Sequence, residues 1–329
     1  MTNEVPIREP YLKVNYGGEE IGFDGTSVLR FDKNRTEWYR YMELPVNVSN
    51  AVIFDNQIVI ADNYLDKRFV INIDEQKISE YELPKLLFNL SVNNIDKFSI
   101  EIGSQGCFHS DRQFREYRLK HNSFKLYKKG KGFLSKMDKE INPQLLNDIV
   151  NEIDNSRFKK LTVNDLEISE KDLDNFKDFI DKEEQKIKKK GYDRFDYNNY
   201  YTFPGENTDF SFYKNVADRF KSIPNSVVNE VFNKGYGNWS TTTVWRKITI
   251  AFKNGEVLTI ENSDDKPNYL YTPWIINFNG LIIKSNSLKL GELINELTNG
   301  DLYSDVSKEK NYAIYKVADF LYKQSLNKK

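Results

Sequence analysis

VWRKITIAFKNGEVLTIEN, running from Val244 to Asn262, decides the fold of this chain. Apolar and polar residues alternate on both sides of Asn254-Gly255, with Ile248 and Ile250 before the pair and Leu258 and Ile260 after it. A period of two marks a half-buried strand, and Asn-Gly is the strongest short signal for a tight antiparallel turn. WIINFNGLIIK (Trp274 to Lys284) repeats the device at Asn279-Gly280. Two such hairpins predict a four-stranded antiparallel sheet. A helix over Leu288–Leu297, ended by Asn299-Gly300, and another roughly over Tyr312–Leu326 are expected to cover one face of it.

Upstream the period is different. Pro143 sits where a first helical turn would carry Leu145, Leu146, Ile149, Val150 and Ile153. Ser169 with Asp172 makes a capping-box start for a helix with an apolar stripe of Leu173, Phe176, Ile180 and Ile187, closed by Lys188–Lys190 and Gly191. Phe212, Val216 and Phe220, then Val227, Val228, Val231 and Phe232, mark two more helices. The first third returns to short strands. AVIFDNQIVIA (Ala51 to Ala61) turns at Asp55-Asn56, RFVINIDEQKISEY (Arg68 to Tyr81) turns around Asp74-Glu75-Gln76, and Phe98, Ile100 and Ile102 alternate. The expected fold is α+β, with an antiparallel β-meander N-terminal region, a helical middle and a C-terminal antiparallel sheet packed with helices. The expected organisation is a β-rich region over 1–134 and an α+β region over 135–329.

The totals narrow the function. The chain has 329 residues, 39% hydrophobic and 14% aromatic, enough for a substantial core. Forty-eight Lys and Arg balance 49 Asp and Glu, which gives no general drive toward nucleic acid or an anionic membrane. One cysteine forms no internal disulfide. No segment approaches the ~20 apolar residues of a membrane span, and the N-terminus lacks a signal-peptide core, so a cytoplasmic location is expected. The Lys/Asn/Ile/Tyr-rich composition resembles that of bacterial proteins from AT-rich genomes, a likeness that carries no site.

The versatile residues gather in GSQGCFHSDR (Gly103 to Arg112). Cys107 and His109, two apart, face one side of a strand and form a candidate thiol or metal site. His121 is the other histidine, and a strand over Gln113–Leu119 places it more than about 20 Å from His109. A zinc site would then need carboxylates from elsewhere, and a nucleophilic triad has only these two histidines to serve as base. The plainer reading makes Gly103 and Gly106 loop hinges and Cys107 a small buried hydrophobe. Gly235-Tyr236-Gly237 follows a helix and precedes a strand, the reverse of a phosphate-binding loop. No cofactor and no metal are expected.

The segment 192–209 is crowded with aromatics, Tyr197, Tyr200 and Tyr201 among them, interleaved with Asp and Asn. Core packing is the plainer use of these rings. Exposed, they would join Trp239 and Trp245 as an interaction surface, since Trp and Tyr are enriched at hot spots. The function expected is a non-catalytic cytoplasmic protein-interaction or accessory protein, an immunity-type neutraliser of a toxin being one form. Its partner would be another protein, with no nucleic acid and no membrane. The alternative is a carboxylate-dependent hydrolase or carbohydrate-active enzyme using segment 192–209.

Overall fold

The computed structural model describes residues 8–62, 67–82, 94–106, 109–130, 139–157, 160–190, 203, 208–233, 242–264, 271–298 and 306–327. Three antiparallel sheets carry the chain. The first is a meander of β1 (Leu12–Tyr16), β2 (Glu19–Asp24), β3 (Ser27–Asp32) and β4 (Glu37–Glu43). The second is a meander of β5 (Val48–Phe54), β6 (Gln57–Asp62), β7 (Arg68–Asn72) and β8 (Lys77–Glu80). Asp55 and Asn56, both at positive φ, make the predicted turn between β5 and β6.

In β6 all of Ile58, Val59, Ile60 and Ala61 are buried. A continuous apolar run is what a strand covered on both faces requires. Ile58, Ile60 and Ile71 pack against Val14, Ile21, Phe23 and Val28 of the first sheet. Val52, Val59 and Val70, one residue out of phase, join the core of the third sheet. The second sheet is therefore a middle layer. Arg68, 3% exposed, reinforces the joint by donating to the carbonyl of Ile282.

The third sheet holds β9 (Ile95–Gly106), β10 (His109–Lys120), β11 (Ser123–Lys129), β12 (Thr242–Phe252), β13 (Val257–Asp264), β14 (Trp274–Phe278) and β15 (Leu281–Ser285). Their order is β11-β10-β9-β12-β13-β14-β15. The sheet thus has seven strands where the two Asn-Gly hairpins alone predicted four. β12 pairs with β9 over its whole length, so the three strands of the N-terminal hairpin region gain a partner for an edge that would otherwise stand open. The boundary expected after residue 134 divides strands that share this sheet. The two Asn-Gly pairs turn differently. Asn279 and Gly280 both take positive φ in a two-residue turn, whereas Gly255 alone does so in the longer β12–β13 loop.

Register builds the core. Leu126, Tyr117, Phe98, Ile250, Leu258, Phe278 and Leu281 form one row across all seven strands. Ile100, Ile248, Ile260, Ile276 and Ile283 form the next. Over these rows lie α1 (Pro143–Ser156), through Leu146, Ile149, Val150 and Ile153, and α5 (Leu288–Leu297), through Leu290, Ile294 and Leu297. Each such side chain contributes about 1.5–3 kcal/mol on burial.

α1 also ties the two margins of the sheet. Ile141, just before it, exchanges two 2.9 Å backbone hydrogen bonds with Phe124 of β11, and Arg157, just after it, bridges Ser285 of β15. Fourteen helical residues span about 21 Å, and seven strands about 29 Å; the flanking residues make up the difference.

The remaining helices, α2 (Glu170–Lys190), α3 (Phe210–Asp218), α4 (Asn225–Asn233) and α6 (Val306–Leu326), build a second core of their own. Only its last 15 residues were predicted for α6, which starts six residues earlier. Phe203 belongs to this core, with its ring centroid 5.1 Å from Phe210 and 5.3 Å from Tyr213.

α2 starts as its capping box predicts. Asp172 accepts from the amide and hydroxyl of Ser169 at 2.8 and 2.6 Å, and Lys310 lies 3.6 Å away. Burial alone would raise the Asp172 pKa, but the Ser169 hydrogen bonds and Lys310 outweigh it and hold the carboxyl below its usual range. A depressed carboxylate stabilises the fold above its unfolded pKa of about 3.9 and loses that contribution as pH falls through the folded value. Asp172→Asn is therefore expected to be less stable than wild type in urea melts at pH 7. The gap should close as the pH drops below about 4.

Candidate interaction surface

One face of the seven-stranded sheet is closed by α1 and α5. The other shows half-buried and exposed polar side chains along β10, β9, β12 and β13, ordinary for an antiparallel sheet with one solvated side. Its central row reads Phe114, Glu101, Lys247, Glu261. Lys247 pairs with Glu261 at 3.6 Å, and Arg112 with Glu101 at 2.5 Å. Toward β14 and β15 the face closes, because Ile275 and Lys284 are each only 5% exposed.

Trp245 stands in the next row, directly opposite Gly103. A Cβ placed on Gly103 would lie 2.3 Å from the indole and 2.7 Å from the Asp111 carbonyl. Gly103 is therefore not the loop hinge expected from GSQGCFHSDR. It lies within β9, paired on both sides, and its missing side chain lets the indole lie against the strand. Gly106 is the last residue of β9 and pairs with His109, the first of β10.

The other predicted residues fall elsewhere. Cys107, Trp239, Tyr197, Tyr200 and Tyr201 lie outside the described residues. His109 begins β10 and His121 forms the turn after it, so the other eleven residues of the strand separate the two histidines. No group of three or more His, Cys, Asp or Glu able to hold a metal occurs among the described residues. Of segment 192–209, the described carboxylate is Asp209. It accepts from the amides of Ser211 and Phe212 as the N-cap of α3. That is a structural duty, and an N-cap is worth about 1 kcal/mol.

Sequence reasoning missed a cleft of about 360 Å³ between α1, the short 3-10 turn Asn164–Leu166 and the start of α5. Glu152, Asp165, Glu167 and Lys289 line it. Glu152 accepts a 2.6 Å hydrogen bond from the Ser287 hydroxyl and lies 3.6 Å from Lys289, filling the anion position at the α5 N-terminus itself. Asp165 is held by the amide and hydroxyl of Thr162 at 2.8 and 2.6 Å. The cleft is a joint between helices, and two of its three acids, Glu152 and Asp165, are already engaged. No sequence signal announced it, because its residues come from three segments.

No protein-family model matches this chain, and neither does any curated protein or solved structure. No helix among the described residues is long and apolar enough to cross a membrane.

Proposed function

We propose that this chain is a non-catalytic protein-binding module, working in the cytoplasm as a stoichiometric neutraliser or accessory subunit, and that it meets its partner with the open face of the seven-stranded sheet. The observation that carries the reading is the half-buried Trp245 lying on Gly103, flanked by the Glu101–Arg112 and Lys247–Glu261 pairs. Trp is enriched among the anchors that dominate binding energy, and polar groups typically form the rim around such an anchor. The ion pairs are exposed, contribute little to folding, and suit partner selection better than stability. An immunity-type role is one that such a surface fits. The enzymatic alternative gains no support from Asp209, which caps a helix.

Tagged chain recovered from its native cells is expected to retain one partner in near-equimolar amount. Trp245→Ala should weaken that complex by about thirtyfold, the effect of about 2 kcal/mol at a hot spot. Lys171→Glu, on the distant exposed face of α2, should leave it unchanged. Equal retention by both variants, or hydrolytic turnover by the pure chain, would defeat the reading.

A further inference from the structure

The near-neutral total of the chain conceals a strong local imbalance. Residues 109–130, the β10–β11 hairpin, carry seven Lys and Arg against Asp111 and Glu116, a formal +5 in a chain of net charge −1. Arg115 is buried. The other six cations, Arg112, Arg118, Lys120, Lys125, Lys128 and Lys129, reach solvent. Register puts Arg112, Arg118, Lys120, Lys125 and Lys128 on the same open face as Trp245, toward its β11 margin. Arg112, Arg118 and Lys125 have carboxylate neighbours in Glu101, Glu116 and Glu140. Lys120 and Lys128 make no ion pair among the described residues, although Glu116 lies across the strand pair from Lys128.

We infer that the β10–β11 hairpin is the part of the interaction face that selects an acidic partner: a protein surface or segment rich in Asp and Glu seats against Lys120, Lys125 and Lys128 while Trp245 anchors the centre. This rests on the protein-binding reading and adds the chemistry of the partner. Two observations favour a protein over a nucleic acid. Glu101 and Glu116 are interleaved with the cations on this face and would repel a continuous phosphate backbone. Tyr127, 55% exposed and the obvious stacking platform, already has the Arg118 guanidinium over its ring at 3.6 Å. One of its faces is closed to a base. A protein surface tolerates mixed signs, and complementary charge raises its encounter rate and suppresses wrong partners.

The test uses the full chain with two labelled probes, an oligo-glutamate peptide and a single-stranded oligonucleotide of equal charge, titrated by fluorescence anisotropy at low and high salt. Oligo-glutamate is expected to bind at low salt, to be released as salt rises, and to weaken by at least ~10-fold in the triple variant Lys120→Glu/Lys125→Glu/Lys128→Glu. Trp245→Ala should change this binding by less than about twofold, because the indole is not the charged element. A second triple variant, Lys171→Glu/Lys182→Glu/Lys189→Glu on α2, controls for total charge and should bind as wild type. The inference falls if oligo-glutamate does not bind, or if both triple variants weaken it alike. In that case the protein-binding reading is still judged by its own Trp245→Ala result. Tighter binding of the oligonucleotide than of the peptide overturns the inference and the protein-binding reading together.

Discussion

Phe98→Ala is expected to destabilise the protein by about 3–5 kcal/mol, a large share of the stability of an ordinary domain. Phe98 lies where the two halves of the seven-stranded sheet meet. Its ring stacks on Tyr117 at 4.7 Å and meets the edge of Phe124 at 5.1 Å, while Ile250 of β12 faces it across the strand pair. Truncation leaves a cavity beneath α1 that neighbours held in a rigid pleat cannot collapse to fill. Urea titration followed by tryptophan fluorescence reads the change as a shift in midpoint. Phe98→Leu, which keeps much of the volume, should recover over half of the loss.

Arg68→Ala is expected to cost about 3 kcal/mol by a different route. The guanidinium donates to the Ile282 carbonyl on the outer strand of the third sheet and to the Lys67 carbonyl at 3.0 Å. Its removal strands the part-buried Ile282 carbonyl and strips the packing of a long aliphatic stem. Arg68→Lys should not restore stability, because an ammonium cannot present two donors in the fixed fork that meets two carbonyls. Because Arg68 joins the middle layer to β15, limited proteolysis of the alanine variant should cut the β5–β8 layer before the seven-stranded sheet.

Much of the local structure was readable from residue order. Asp55-Asn56, Asn279-Gly280 and the Ser169–Asp172 box each act within a few residues, so their chemistry is printed where it operates. The α+β class followed from the change of period between segments. What could not be read was which strand edges would meet. Ile100 and Ile248 are alike in character to several other isoleucines, and nothing local tells Ile100 that its neighbour lies 148 positions on. Gly103 shows the same limit at the candidate site. A glycine near a cysteine and a histidine reads as a hinge until its opposite number proves to be Trp245. The basic hairpin was hidden differently, since its cations are spread over two strands and only the pleat, with a bulge at Glu116/Tyr117, gathers five of them on one side.

The pairing of β9 with β12 sets a schedule for the chain as it leaves the ribosome. The hairpins β9–β10–β11 can form early, but the far side of β9 waits for Thr242–Phe252 to emerge. At 5–20 residues per second that interval lasts roughly seven to thirty seconds, during which an apolar strand shows an unpaired edge to the cell. Newborn chains should therefore depend on chaperones that shield such edges, and slowing translation across the helical segments should lower the yield of folded protein.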